Sequence, residues 1–160
     1  MATTMLSREE ALEDILSRHD SEPIIVTNTG YISRAVHDLY KDKNNIFYMQ
    51  GSMGLAPAIG LGIALNTDRE VIVISGDASL LMHLGVTHTI RDYQSGGMEN
   101  LFVYVLDNGC HESVGEYECS SLESEYPGVE KIYKISCDGK RERVEISFEE
   151  NASNIIELLS

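Results

Sequence analysis

The sequence has few positive charges for its size. Its 160 residues include 12 Lys and Arg against 26 Asp and Glu, which gives a formal net charge of −14. Nucleic-acid binding depends on clustered Lys and Arg that contact phosphates, so this balance argues against a nucleic-acid partner. An anionic ligand would need a metal ion or backbone N–H donors instead.

Long apolar runs and paired cysteines are also missing. No apolar segment approaches the roughly 20 residues that a helix needs to cross a bilayer, and residues 1–20 are acidic and periodic, unlike a signal peptide. Cys110, Cys119 and Cys137 are odd in number and lack CxxC spacing, which argues against a disulfide framework and a zinc site. We therefore expect reduced thiols, no membrane partner and a cytoplasmic location.

What remains is the composition of an ordinary globular protein, with 42% hydrophobic and 24% charged residues. The length suits one domain with a real core and is too short for two ordinary ones. The sequence shows no internal repeat, low-complexity tract or linker. We therefore predict that residues 1–160 form a single domain.

Strand and helix patterns alternate along the chain. Ser7 and Glu10 have capping-box spacing, which predicts a first helix that ends near His19. Apolar runs that end in turn residues predict buried strands, and periodic segments predict helices between them. The predicted strands are 24–30, 45–51, 71–75 and 100–108, and the helices between them are 31–40, 53–65 and 79–93. This pattern predicts an α/β fold, a three-layer α/β/α domain with a mostly parallel sheet that binds ligands at the carboxyl ends of its strands.

The pattern weakens after Gly115. The segment KIYKIS (131–136) predicts a strand, and RVEISF (143–148) alternates with the period of a strand. Residues 152–159 predict a closing helix. We treat residues 116–160 as an atypical C-terminal part.

Two of the buried strands end in polar turn residues. Gly76 and Asp77 follow VIVIS, and Asn108 closes NLFVYVLDN, about one strand-helix-strand crossover later. Such a crossover would bring Asp77 and Asn108 to neighbouring strand ends. Carboxylate, amide and carbonyl oxygens suit Mg²⁺ held together with a diphosphate. From the residues alone, Asp77 as a helix N-cap and Asn108 as a turn former is an equal alternative.

These segments also resemble thiamine-diphosphate-dependent 2-oxo acid decarboxylases. GDASLLM (76–82) and LDNGCHESVG (106–115) together resemble the family's diphosphate motif, and FYMQGSMGLAPAIGLGIAL (47–65) resembles the segment before it. With TNTGYISRAV (27–36), they are most similar to phosphonopyruvate decarboxylase and the sulfopyruvate decarboxylase β subunit. The resemblance covers roughly residues 7–115 and implies the thiamine-diphosphate-binding (PP-domain) fold.

The resemblance implies a role for each matching residue. The implied Mg²⁺ ligands are Asp77, the Asn108 side chain and the Cys110 carbonyl. The implied cofactor-binding residues are Gly51, Ser52, Met53, Gly54, Gly76, Asp77, Ala78, Ser79, Asn108, Cys110 and His111. Met53 would support the bent V shape of the thiamine, with core filler as the alternative. Ala78 replaces a glycine of the motif, a change that preserves backbone approach if its φ is negative.

His111 is the candidate catalytic residue. A histidine after the metal turn could transfer a proton or bind the anionic tail of a substrate. A loop histidine that faces the diphosphate or solvent is an equal alternative. For His83 and His88, on the helix after Asp77, we expect packing or surface roles.

The resemblance further implies non-oxidative loss of CO₂ from a small anionic 2-oxo acid, of the phosphonopyruvate or sulfopyruvate type, to give an aldehyde. The family's catalytic glutamate lies on a pyrimidine-binding domain that this sequence lacks. A partner subunit should therefore supply it, in a hetero-oligomer. The alternatives are a thiamine-diphosphate-dependent carboligase subunit and a non-catalytic interaction subunit. Dinucleotide binding is a weaker interpretation, because no GxGxxG motif follows the first strand.

Overall fold

The computed structural model describes residues 5–19 and 22–160. In these ranges the helices are α1 (Arg8–Leu16), α2 (Tyr31–Tyr40), α3 (Ala56–Ala64), α4 (Asp77–Met82), α5 (Gly85–Ser95) and α6 (Phe148–Leu159), with a short 3₁₀ helix at Glu112–Val114. The strands are β1 (Ile24–Thr27), β2 (Ile46–Tyr48), β3 (Val71–Gly76), β4 (Leu101–Asp107), β5 (Cys110–His111), β6 (Tyr117–Glu118) and β7 (Lys131–Lys134). None of the helices in these ranges is both long and apolar enough to span a membrane.

Five of the strands form one parallel sheet in the order β2-β1-β3-β4-β7. The chain order reverses between β1 and β3, so the strands leave a crevice at their carboxyl ends there. Ligands of open α/β sheets bind at such a switch point. β5 and β6 form a separate antiparallel pair beside this crevice.

Helices cover both faces of the sheet. On one face, α1 and α2 pack over alternate strand residues such as Ile25, Ile72 and Ile74. On the other, α3, α5 and α6 pack over Val26 and Val73. Because neighbouring strand residues point to opposite faces, near-continuous apolar strands are what such a sheet requires. The predicted three-layer α/β/α architecture is confirmed.

Helix α3 lies very close to the sheet because of a glycine. A β-carbon at Gly60 would come within 2.2 Å of the Val73 Cγ2 atom, whereas one at Gly62 would meet nothing within 4 Å. A side chain at position 60 would therefore push α3 off β3. The absence of a side chain at Gly60 is thus what permits the close packing of α3 on β3.

Besides shifts in the ends of helices and strands, two predicted elements differ in kind from the structure. The predicted helix 79–93 is two helices, because the chain leaves helical geometry at His83, the C-cap of α4, before α5 begins at Gly85. The segment 143–148 is not a strand, although Val144 and Ile146 do pack on the cluster under α1 and α2. Apolar and polar residues alternate in this segment because Val144 and Ile146 face the core, but the segment pairs with no neighbouring strand among the described residues.

Residues 139–160 run past α1 and α2 to the outer edge of the sheet. Arg141 forms ion pairs with Glu9 and Asp38. Helix α6 begins at Phe148, earlier than predicted, with Ser147 as its N-cap. The buried Asn151 side chain then bonds the backbone of edge strand β2, accepting from Tyr48 N at 2.9 Å and donating to Tyr48 O at 2.7 Å. The C-terminal helix thus caps backbone groups that an edge strand leaves open.

Candidate functional site

A cleft opens where β1, β3 and β4 end, at the switch point of the sheet. Its walls come from the segments that follow these three strands, together with Met53 and the start of α1. The site residues that line it are Arg8, Asn28, Thr29, Met53, Gly76, Asp77, Ala78, Ser79, Asn108, Cys110, His111 and Glu112. Asp77 and Asn108 therefore reach the same cleft from neighbouring strands.

Asp77 is the first residue of α4 and is 3% exposed. One carboxylate oxygen, Oδ2, accepts from the Gly109 N–H at 2.9 Å and from the Cys119 thiol at 3.1 Å. Burial raises the pKa of the Asp77 carboxyl, which the hydrogen bond from Cys119 partly offsets. Gly76, and not Asp77, is the N-cap residue of α4, so helix capping does not explain the buried carboxylate.

Asn108 stands at the end of β4 with both ends of its amide engaged. Its Nδ2 donates to Glu112 Oε2 at 2.8 Å, and its Oδ1 accepts from the Cys110 N–H at 3.2 Å. The preceding residue, Asp107, forms an ion pair with Lys134 of β7 and also accepts from the Gly109 N–H at 3.0 Å. Because Asp77 accepts from Gly109, next to Asn108, the two strand tips are held together directly.

Asn28 connects the other walls of the cleft. It is 2% exposed. Its Nδ2 donates to Ser79 Oγ at 2.6 Å, and its Oδ1 accepts from the Gly54 N–H at 3.2 Å. One side chain thus ties the end of β1 to α4 and to the turn before α3.

The predicted cofactor residues divide into two groups. Those that line the cleft are Met53, Gly76, Asp77, Ala78, Ser79, Asn108, Cys110 and His111, whereas Gly51, Ser52 and Gly54 are not among its lining residues. Gly54 stays next to the cleft through its bond to Asn28. In the described part of the chain, Glu116 is the only non-glycine with positive φ. The φ angle of Ala78 is therefore negative, which is the condition under which alanine can replace the glycine of the motif.

Sequence reasoning did not assign Arg8, Asn28, Glu112 or Cys119 to the site's framework. Arg8 is 2% exposed and donates to Glu112 Oε2 at 2.6 Å across 104 residues of sequence. No local sequence pattern predicts such a pair. The signal for Asn28 was available, since it follows a buried strand just before Thr29-Gly30.

The other histidines and the cysteines occupy simpler positions. His83 and His88 are exposed on α4's end and on α5, which agrees with the expected surface role. Cys110, Cys119 and Cys137 are all free thiols, with the Cys110 and Cys137 sulfurs 3.5 Å apart. Arg34 donates to the Arg141 carbonyl and lies 4.8 Å from the Tyr31 ring centre, so it supports the C-terminal segment.

Comparison with known proteins identifies the family. Residues 28–150 match the family described as thiamine pyrophosphate enzyme, C-terminal TPP binding domain. The chain belongs to this thiamine pyrophosphate enzyme family. The match extends beyond residue 115, where the resemblance by motif ends, and includes most of the cleft.

Curated relatives include two kinds of decarboxylase. The chain is 40% identical over 123 residues to phosphonopyruvate decarboxylase of Streptomyces viridochromogenes, a match that covers 77% of this chain and 30% of the relative. It is 41% identical over 111 residues to sulfopyruvate decarboxylase subunit beta of Methanothermobacter thermautotrophicus, a match that covers 69% of this chain and 57% of the relative. Sulfopyruvate decarboxylase subunit beta of Methanococcus maripaludis is 31% identical over 157 residues, a match that covers 94% of this chain and 82% of the relative.

The chain therefore spans under a third of the Streptomyces relative and just over half of the Methanothermobacter relative. Among solved structures, a candidate thiamin diphosphate-dependent enzyme from Mycobacterium smegmatis matches with a TM-score of 0.62 and 18% identity. That match covers 76% of this chain and 24% of the other. It supports the α/β fold.

Proposed function

We propose that this chain is the diphosphate- and Mg²⁺-binding subunit of a thiamine-diphosphate-dependent decarboxylase. Its substrate would be a small 2-oxo acid with a phosphonate or sulfonate end, and its products CO₂ and an aldehyde. The relatives' printed names support this reaction class. The observation that carries the proposal is the meeting of Asp77 and Asn108 in one cleft at the switch point.

The Asp77 carboxylate, the Asn108 amide oxygen and the Cys110 carbonyl form the proposed Mg²⁺ site. In residues 5–19 and 22–160, Asp77 bonds N–H and S–H donors and forms no ion pair with a cationic side chain. A buried carboxylate is normally paired or bound to a metal, so a cation fits this position. No cluster of three His, Cys, Asp or Glu side chains in the same ranges could hold a metal, and the proposed oxygen set is the kind that Mg²⁺ prefers.

The rest of the cleft suits the cofactor. Gly76, Ala78, Ser79 and His111 lie beside the proposed metal ligands, where a diphosphate would bind. We place the thiamine end toward Met53 and the Gly51–Gly54 turn, which Asn28 holds against Ser79. When bound, thiamine diphosphate supplies the electron sink that loss of CO₂ requires.

His111 is the proposed catalytic residue of this chain. It lines the cleft two positions after the Asn108-Gly109 turn, at the end of β5. There it can transfer a proton or bind the anionic end of a substrate. Its replacement by phenylalanine should lower turnover more than cofactor affinity.

A partner subunit would complete the active site. The only glutamate among the residues that line the cleft is Glu112, and four hydrogen-bond donors already surround its carboxylate. It is therefore unsuited to protonating a cofactor ring. We propose that a pyrimidine-binding partner subunit supplies the catalytic glutamate in a hetero-oligomer, and that the complex acts in the cytoplasm.

Calorimetry on the chain purified with its partner tests the proposal. We expect thiamine diphosphate to bind only when Mg²⁺ is present, and Asp77→Asn to weaken binding at least about 100-fold, since even outer-shell changes at metal sites cost 10–100-fold. Asp14→Asn is the matched control, because that aspartate pairs with Arg18 and Lys131 and does not line the cleft. A complex that binds no cofactor with Mg²⁺, or an Asp77→Asn complex that binds normally, would contradict the proposal.

Product analysis then separates the reaction types. Incubation of the complex with phosphonopyruvate and with sulfopyruvate should release CO₂ and the corresponding aldehyde from one of them. A product with a new carbon–carbon bond would indicate a carboligase instead. Cofactor binding without turnover of any 2-oxo acid would indicate an interaction subunit.

A further inference from the structure

Glu112 is a buried carboxylate whose hydrogen-bonding capacity is filled. Its side chain is 4% exposed. Oε2 accepts from Arg8 at 2.6 Å and from Asn108 Nδ2 at 2.8 Å. Oε1 accepts from the backbone N–H groups of Asp138 and Gly139, both at 3.1 Å. All four contacts are donors, so this site is built for an ionised carboxylate and leaves it nothing to donate.

The contact with Asn108 fixes which way that amide faces. A carboxylate only accepts hydrogen bonds, so the NH₂ end of Asn108 must lie toward Glu112. The opposite end accepts from the Cys110 N–H at 3.2 Å. A reversed amide would place oxygen against carboxylate on one side and NH₂ against N–H on the other. Glu112 and the Cys110 N–H therefore select the same orientation, with the Asn108 oxygen directed away from Glu112.

Arg8 balances the charge that this arrangement buries. Its side chain is 2% exposed, and it also pairs with Asp138. A buried ion pair contributes little net stability, because desolvation of the two charges offsets their attraction. The presence of this ion pair beside Asn108 is explained if the carboxylate serves the neighbouring site. Outer-shell groups of this kind orient the ligands of metal sites.

We propose that Glu112 is a positioning residue that presents the Asn108 oxygen to the metal ion, with Arg8 as its counter-charge. The proposal rests on the proposed function, since it takes Asn108 as a ligand. It assigns a role to helix α1, which lies outside residues 28–150 that match the family. In this role Glu112 itself would bind neither the metal nor the cofactor.

The substitution Glu112→Gln tests this. An amide in that position directs NH₂ either toward Asn108 and Arg8 or toward the Asp138 and Gly139 N–H groups, so donors face donors. Reversal of Asn108 relieves the contact between the two amides in the first arrangement and turns the Asn108 oxygen away from the metal, although Arg8 still faces the introduced NH₂ and the Cys110 N–H then faces the Asn108 NH₂. We expect Mg²⁺ affinity of the chain–partner complex, measured by calorimetry with saturating thiamine diphosphate, to fall about 10- to 100-fold.

Adding Asn108→Asp should restore much of the affinity. The introduced carboxylate has two oxygens, so one accepts from the introduced amide and the other faces the metal. The amide oxygen at position 112 then accepts from the Asp138 and Gly139 N–H groups. We expect the double variant to bind Mg²⁺ at least about tenfold more tightly than Glu112→Gln alone, on the scale of outer-shell effects.

Asp14→Asn is the matched control, an acid-to-amide change in a hydrogen-bonded network with Arg18, Lys131 and Tyr133. It should lower the melting temperature but leave Mg²⁺ affinity unchanged. Equal Mg²⁺ affinity in wild type and Glu112→Gln would overturn the positioning role, and so would a loss that the double variant does not reduce. A wild-type complex that binds no Mg²⁺ with the cofactor would overturn the proposed function as well.

A measurement on the unsubstituted chain covers the case in which Glu112→Gln does not fold. In ¹⁵N-labelled protein, the Asn108 side-chain NH₂ should show one proton shifted downfield and protected from exchange with water. Adding Mg²⁺ and thiamine diphosphate should leave that proton protected. A rapidly exchanging NH₂ in either state would contradict the hydrogen bond on which the proposal depends.

Discussion

The cleft and the C-terminal segment join distant parts of the chain in different ways. In the cleft, short segments after β1, β3 and β4 meet because parallel strands end at the same edge of the sheet. Residues 139–160 instead pass α1 and α2, where Arg141 pairs with Glu9, and reach β2 through the Asn151 side chain. The first arrangement follows from topology, and the second from individual tertiary contacts. The proposed active site lies in the first region, and the second covers an edge of the sheet.

Breaking the link between α1 and the cleft should have the largest effect on stability. Arg8→Met leaves the buried Glu112 carboxylate without its cation, which should cost about 3–5 kcal/mol in the free energy of unfolding measured with urea. Arg18→Met removes the exposed pair with Asp14 and should cost at most about 1 kcal/mol. Losses of similar size in the two variants would show that the buried pair is not what holds α1 to the cleft.

Two buried asparagines make the comparison sharper. Asn28 in the cleft and Asn151 in the C-terminal helix are each 2% exposed and hydrogen-bonded at both ends of the amide. Replacing either by alanine leaves buried groups unpaired, at a cost of about 1–3 kcal/mol in unfolding free energy.

Cofactor binding should separate the same two variants. Asn28→Ala frees the Gly51–Gly54 turn from Ser79 and should weaken thiamine diphosphate binding in calorimetry of the complex. The complex that carries Asn151→Ala should bind thiamine diphosphate with wild-type affinity. If both variants lose affinity equally, the C-terminal segment is part of the binding site, and the division drawn above is wrong.

The smallest expected effect lies wholly in the C-terminal segment. Ser147 caps α6 by accepting from the Glu150 N–H at 3.1 Å, so Ser147→Ala should cost about 1 kcal/mol in thermal unfolding. Ser153 is exposed inside the same helix, and Ser153→Ala should change stability by less than about 0.5 kcal/mol. A Ser147→Ala variant as stable as Ser153→Ala would mean that the cap contributes nothing measurable.

The same division explains what the sequence revealed. The meeting of Asp77 and Asn108 was predictable, because each follows an apolar strand and neighbouring parallel strands end at the same edge of a sheet. The pairing of Arg8 with Glu112 was not, since 104 residues separate them and the pattern around each residue, a capping box and the turn after β4, gives no sign of the other. The period-two segment 143–148 was misleading for a related reason. Burial of one face produces alternation whether or not a neighbouring strand is present.

The central claim is that the tips of β3 and β4 share one metal ion. Crystals of the chain with its partner, grown with thiamine diphosphate and Mn²⁺ in place of Mg²⁺, test it through anomalous scattering. We predict a single manganese peak in the cleft, in contact with the Asp77 carboxylate and the Asn108 Oδ1 atom. A bound cofactor whose manganese is held by other residues, with Asp77 and Asn108 out of contact, would contradict the claim.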